Sequence, residues 1–142
     1  MVLAGVGRHP KEREVMMGKR ILVVDDNTFI RSATRNVLEG HPQMAECHEA
    51  IDGVDALEKA QALKPDLIIL DLSMPRMNGL AAACELKKMR AAVKIILFTV
   101  YANAVPLQVA KAAGISAVVS KADLPSLNYH VEKVLQGVNA GV

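Results

Sequence analysis

The sequence has no long apolar segment and little excess charge of either sign. No apolar stretch approaches the roughly 20 residues that a transmembrane helix requires. Residues 1–18 mix glycine, proline and charged residues and lack the apolar core of a signal peptide. A net charge of +2 over 142 residues argues against nucleic acid or an anionic membrane as an obligatory partner. We therefore expect a soluble, cytoplasmic protein that binds neither directly.

Cysteine and histidine are too scattered to indicate a disulfide framework or a metal site of nitrogen and sulfur ligands. Cys47 and Cys84 show no paired spacing, so we interpret both as reduced, small packing residues. The four histidines follow no recognisable metal-ligand spacing. No serine–histidine–aspartate or cysteine–histidine arrangement stands out, so the sequence gives no support to a hydrolase of those kinds.

Alternating apolar segments indicate the fold class. The sequence is 51% hydrophobic, enough to bury one substantial core and form one domain. Five short strand-like runs alternate with five helical segments, which is the pattern of an α/β protein, a doubly wound (βα)5 sandwich around a five-stranded parallel sheet of the flavodoxin-like type. We expect residues 19–137 to form this domain, after a flexible N-terminal extension (1–18) and before a C-terminal tail (138–142).

The predicted elements follow from apolar spacing and capping residues. Strands are expected at 21–24, 43–49, 67–70, 93–98 and 117–120, and helices after Asn27 and at 53–63, 80–89, 104–113 and 124–135. The first helix is expected to bury Phe29 and Leu38 on one face and to end at Gly40.

Carboxylates follow two of the predicted strands. Asp71 ends the run Leu67–Leu70, and Asp25 and Asp26 end the first strand. If those strands are parallel neighbours, the three acids meet at one edge of the sheet, where such sheets place their ligands. A cation must offset their repulsion, and oxygen-only ligands suit Mg²⁺ or Mn²⁺. The alternative is that each acid only caps the following helix.

Thr99 and Lys121 follow the fourth and fifth predicted strands. A hydroxyl donor and a compact positive charge together suit a phosphoryl group. Either residue alone would mean little, because strands often end in polar residues. They become informative together, because polar or charged groups of this kind follow four of the five predicted strands in the expected order.

With these motifs, residues 19–137 closely resemble the receiver domain of two-component response regulators. The matching segments are Val23–Asn27, Asp71–Gly79, Thr99 and Lys121. The resemblance implies that Asp71 accepts a phosphoryl group from the phosphohistidine of a sensor histidine kinase or a phosphotransfer protein. It also implies metal binding by Asp26, Asp71 and the Ser73 carbonyl, with Asp25 acting through water. Thr99 would hydrogen-bond the phosphoryl oxygens, and Lys121 would pair first with Asp71 and then with the phosphoryl group.

The resemblance further implies a signalling switch and not an enzyme with a separate substrate. Its unknown downstream partner, or a second copy in a homodimer, would contact the fourth helix, fifth strand and fifth helix. The residues expected there are Val105, Gln108, Lys111, Val118 and Leu127, although core packing is the simpler role for the apolar ones.

Two departures from the family keep a second function open. Val118 stands where the family usually has a tyrosine or phenylalanine that moves on phosphorylation, and a β-branched side chain has no ring to relocate. Val100 follows Thr99, where the family favours a small residue. The alternative is therefore a protein-interaction module of the same fold whose output is independent of phosphorylation. A phosphatase resembling the haloacid dehalogenase family fits poorly, because Ser73 stands where that family needs a second acid.

Overall fold

The structure is a computed structural model that describes residues 18–42 and 44–137, apart from the side chain of Ala45. Five parallel strands form one sheet: β1 (Lys19–Val24), β2 (Met44–Ala50), β3 (Leu67–Leu70), β4 (Lys94–Thr99) and β5 (Ala117–Ser120). Their order across the sheet is β2-β1-β3-β4-β5. The order reverses between β1 and β3, and ligands of such sheets bind beyond the carboxyl ends of the strands at that point.

Five helices cover the two faces of the sheet: α1 (Thr28–Glu39), α2 (Gly53–Leu63), α3 (Gly79–Met89), α4 (Leu107–Ala112) and α5 (Leu127–Leu135). α1 and α5 pack on one face, and α2, α3 and α4 on the other. Successive strand residues point to opposite faces of the sheet. Ile21 and Val23 therefore pack under α1 and α5, whereas Leu22 and Val24 pack under α2, α3 and α4. The predicted α/β class and the five-stranded parallel sheet are confirmed.

Two helices begin later than predicted, at Leu107 and at Leu127. The expected helix 104–113 starts at Leu107, because Pro106 precedes it and Val105 is extended, with φ −96° and ψ 111°. The expected helix 124–135 starts at Leu127, and Pro125 lies in a 3₁₀ turn that spans Lys121–Ser126. Proline disfavours the helical conformation at the residue before it, which explains the extended Val105. In the second case the helical backbone is interrupted at Asp123, with φ −122° and ψ 53°.

Two predicted core residues are exposed. Phe29 is 86% exposed, because the buried line of α1 runs through Ile30, Thr34 and Leu38, spaced by four, and Phe29 lies beside that line. Cys84 is also exposed on α3, whereas Cys47 is buried in the sheet; both are free thiols. The predicted packing role is therefore wrong for Phe29 and Cys84.

Several predictions fall outside the described residues. The N-terminal extension up to Met17, the tail 138–142 and Gln43 at the expected start of the second strand belong to this group. The limits of the domain therefore stay predictions. Within the described ranges, no helix is long and apolar enough to cross a membrane.

Candidate functional site

Strand register places the acidic residues side by side at the carboxyl edge of the sheet. Val24 pairs with Leu70 across β1 and β3, so Asp25 and Asp71 leave their strands at the same level. The Asp71 N–H donates to the Val24 carbonyl at 3.0 Å, which extends the pairing by one residue. The very short, fully buried strand β3 thus ends at a carboxylate that adjoins the end of β1.

Asp25, Asp26 and Asp71 form an acidic pocket at this edge. One carboxylate oxygen from each lies within 4.8 Å of those from the other two. Asp25 and Asp71 are buried, at 3% and 6% exposure, while Asp26 is exposed. The pocket therefore combines two acids held away from bulk water with one that faces it.

Lys121 contacts both buried acids. Its Nζ lies 2.5 Å from Asp25 Oδ2 and 3.3 Å from Asp71 Oδ1, and the lysine side chain is only 10% exposed. One ammonium thus offsets part of the charge of three carboxylates. An excess of negative charge remains at the pocket, in an environment of low effective dielectric where charges interact strongly.

The pKa of the Asp71 carboxyl is raised above its ordinary value, chiefly because burial removes water from the charged form. The ammonium of Lys121 opposes this rise, and the negative charge of Asp25 adds to it. The charged form of Asp71 is therefore costly in this pocket, and a bound cation would favour it.

Thr99 ends β4 at the same edge and is fully buried. Its Oγ1 accepts a hydrogen bond from the Tyr101 N–H at 3.1 Å, so the hydroxyl proton is left to donate elsewhere. Ser73, two residues after Asp71, is exposed. Val100 is 66% exposed beyond the strand.

A backbone hydrogen bond closes the loop between Asp71 and α3, so the start of α3 lies against the backbone of Asp71. The Gly79 N–H donates to the Leu72 carbonyl at 2.7 Å. A Cβ at position 79 would collide with the backbone oxygen of Asp71, so only glycine allows this closure. Asn78 then caps α3, its side chain accepting from the Ala81 N–H at 2.9 Å.

Comparison with known proteins decides the family. The model of the response regulator receiver domain matches residues 21–132. The chain belongs to this family. Among solved receiver proteins, response regulator TrrA of Thermotoga maritima, in complex with Mg²⁺ and BeF, is 34% identical with a TM-score of 0.74, over 82% of this chain and 99% of that one. A LuxR-family response regulator from Aurantimonas sp. SI85-9A1 is 31% identical with a TM-score of 0.77, over 85% and 87% of the two chains.

The curated relatives of this receiver domain are much longer proteins. A protein-glutamate methylesterase/protein-glutamine glutaminase of Pyrococcus horikoshii is 41% identical over 86 residues, which are 59% of this chain and 23% of the relative. The chain spans between 17% and 23% of the length of the first such relatives. The likeness therefore concerns a receiver-sized portion of those proteins.

The receiver domain also contains, at the same edge of the sheet, an ion pair that the sequence did not reveal. Arg76, in the loop after Asp71, contacts Asp52, which precedes α2. Asp52 also follows a strand, β2, so its position at a strand end was a readable signal. The pairing with Arg76 was not readable, because arginine rarely adopts the positive φ found there.

Proposed function

We propose that this receiver domain is the phosphoacceptor of a two-component phosphorelay, with Asp71 as the residue that takes the phosphoryl group. The observation that carries the proposal is the setting of Asp71: a buried carboxylate at a strand end, 3.3 Å from the Lys121 ammonium and beside two further acids. Transfer makes a bond between an Asp71 oxygen and phosphorus and breaks the bond between phosphorus and a histidine nitrogen of the donor.

The acidic pocket fits a divalent cation. Its donors are all carboxylate oxygens close enough to share one ion, and hard cations prefer such ligands. We propose that Asp25, Asp26 and Asp71, with the Ser73 carbonyl, hold Mg²⁺ or Mn²⁺. When bound, the ion offsets the charge that gathers on the phosphoryl oxygens during transfer.

The remaining groups orient and stabilise the transferred group. Lys121 is placed to keep one N–H hydrogen bond to Asp25 while its other N–H groups shift from Asp71 to the phosphoryl oxygens. Thr99 has a free hydroxyl proton to donate. Preorganised donors of this kind act most strongly in a buried site, where they need no rearrangement.

The output of the switch is proposed to be a change in a protein-binding surface. We propose no enzymatic activity on a separate substrate, and a histidine kinase or phosphotransfer protein as donor. Of the residues expected on the output surface, Gln108 and Lys111 are exposed, and Val105 and Val118 are half-buried. Leu127 is completely buried, so it packs in the core and its predicted surface role is wrong.

Intact mass spectrometry after incubation with Mg²⁺ and acetyl phosphate tests the proposal. We expect the parent protein to gain one phosphoryl group that is lost at alkaline pH, and Asp71→Asn to gain none. Asp71→Asn preserves the shape of the side chain while removing the nucleophile. Equal labelling of the two proteins, or no labelling of either at excess donor, would contradict the proposed function.

A further inference from the structure

We propose that Arg76 is a positioning residue for the cation site, because its ion pair with Asp52 fixes the loop that carries the Ser73 carbonyl. The inference rests on the proposed function, since it concerns how that site is held. Asp52 and Arg76 are not members of the acidic pocket, and they act on it through the loop between Asp71 and α3.

The pair has the geometry of a two-pronged clamp. Arg76 Nε donates to Asp52 Oδ2 at 2.8 Å, and Nη2 donates to Asp52 Oδ1 at 2.9 Å. The Asp52 side chain is 5% exposed, although that of Arg76 is 56% exposed. Paired donors in a planar fork fix direction as well as distance.

Asp52 is itself fixed, so the clamp has a rigid end. Its Oδ1 accepts from the Asp55 N–H at 2.9 Å and caps α2. This bond and the Arg76 contact keep the pKa of Asp52 below its ordinary value, with the bond from Asp55 contributing most. The next residue, Gly53, touches the loop directly: a Cβ there would lie 2.9 Å from the Met77 Cβ and carbonyl oxygen.

Arg76 adopts a left-handed backbone conformation, which is uncommon for a residue that carries a side chain. Its φ is +68°, one of two positive values among the non-glycine residues that the structure describes. A left-handed conformation is unfavourable for a residue that carries a side chain. The ion pair with Asp52 offsets that cost and holds the turn in this shape.

The position of Ser73 gives the clamp its consequence. The loop is closed at its ends by the Gly79–Leu72 hydrogen bond and is held in the middle by Arg76. Ser73 lies between these two fixed points, three residues from the clamp. Because a metal ligand must be held within a fraction of an ångström, residues that hold ligands affect metal affinity although they do not touch the ion.

The test is the dissociation constant for Mg²⁺, measured by calorimetric titration of the parent, Arg76→Ala and Asp52→Asn. Asparagine at 52 still caps the helix, so Asp52→Asn removes the ion pair alone. We expect each substitution to weaken Mg²⁺ binding by about tenfold. The double variant should be no weaker than either single one, because both remove the same contact.

The two single variants also separate positioning from a simple field effect. Arg76→Ala removes a positive charge from the loop after Asp71 and Asp52→Asn removes a negative one, so a field effect would tighten binding in the first and weaken it in the second. Positioning weakens both. Arg76→Gly, which relieves the positive φ, should bind Mg²⁺ as weakly as Arg76→Ala if the guanidinium matters.

Lys88→Ala, which breaks the exposed pair with Glu85 on α3, is the matched control and should bind Mg²⁺ like the parent. Thermal unfolding without Mg²⁺ confirms that each variant is folded. Unchanged affinity in both Arg76→Ala and Asp52→Asn, or opposite changes, would overturn the inference while the parent still binds Mg²⁺ and takes up a phosphoryl group. A parent that does neither would overturn the proposed function, and this inference with it.

Discussion

The ammonium of Lys121 lies closer to Asp25, at 2.5 Å, than to Asp71, at 3.3 Å. The lysine therefore bridges two buried acids from neighbouring strands and is not bound to the proposed nucleophile alone. Family resemblance led us to expect Asp71 as its first partner. The shared contact means that Lys121 can remain anchored on Asp25 when the Asp71 oxygen becomes part of an acyl phosphate.

Lys121→Met should destabilise the metal-free protein, because it leaves the buried acids without their cation. We expect the free energy of unfolding to fall by about 3 kcal/mol in urea denaturation. Saturating Mg²⁺ should restore part of the loss, since an ion bound only by the folded state stabilises it.

Lys88→Met is the control for that experiment. It breaks an ion pair whose side chains are 74% and 48% exposed, so its effect should stay within about 0.5 kcal/mol. Equal destabilisation by the two substitutions would show that the contacts of Lys121 in the pocket carry no special weight.

Thr99→Val should slow phosphorylation by acetyl phosphate about tenfold at saturating Mg²⁺. Valine keeps nearly the shape of threonine but removes the buried hydroxyl donor. Thr99→Ser keeps the hydroxyl and should retain most of the rate. Initial rates from intact mass provide the comparison. A Thr99→Val rate equal to that of the parent would mean that the hydroxyl donates nothing to the transferred group.

The charge of Asp52, which accepts from the Asp55 N–H and pairs with Arg76, should make stability depend on pH in a defined direction. The folded-state pKa of Asp52 is lowered, so its charge stabilises the fold above the unfolded value of about 3.9. That contribution is lost as the pH falls through the folded-state pKa. Without Mg²⁺, Asp52→Asn should therefore be less stable than the parent by about 1 kcal/mol at pH 7.

The same difference should shrink below about pH 4, where the unfolded chain begins to take up the proton. Urea denaturation of both proteins from pH 7 down to pH 3 measures it. A difference that is constant over this range would show that the charge of Asp52 does not contribute.

Gly79→Ala should cost about 3 kcal/mol of stability, because the new methyl group would collide with backbone atoms that cannot move aside. Gly40→Ala is the matched control: its Cβ would lie 3.7 Å from the Val37 carbonyl oxygen, an ordinary contact. Thermal unfolding of the two variants should separate them clearly. Similar melting temperatures would refute the tight closure of the loop on Asp71.

Strand ends carried most of the information that the sequence contained about the site. Short apolar runs identify strands without any knowledge of their tertiary contacts. Parallel strands bring their carboxyl ends to one edge of the sheet, so the position of Asp25, Asp26 and Asp71 after their strands was enough to predict that they meet. Helix starts were less predictable at Leu107 and Leu127, because apolar spacing continued through the extended Val105 before Pro106 and through the 3₁₀ turn Lys121–Ser126.

Contacts between loops could not be predicted in this way. The ion pair of Asp52 and Arg76 joins residues 24 positions apart. It also depends on the positive φ of Arg76, which an arginine in the sequence does not indicate. Phe29 shows the same limit on a helix, because a shift of one residue in the buried line turned a predicted core side chain outward.

The family's aromatic switch position holds Val118, which is half-buried against the cluster under α2, α3 and α4. A valine in such packing has one stiff torsion and little space to move. Phosphorylation must therefore alter the output surface by another route, or the output does not depend on it. The structure offers no specific observation in favour of the second alternative.

Reductive trapping of the phosphorylated protein tests the central claim most directly. Borohydride converts an aspartyl phosphate to homoserine, and peptide mass spectrometry then locates the converted residue. After incubation with Mg²⁺ and acetyl phosphate, we predict homoserine at position 71 and at no other aspartate. Conversion at Asp25 or Asp26 in place of Asp71, or the absence of any conversion in a protein that carries the phosphoryl group, would contradict the account.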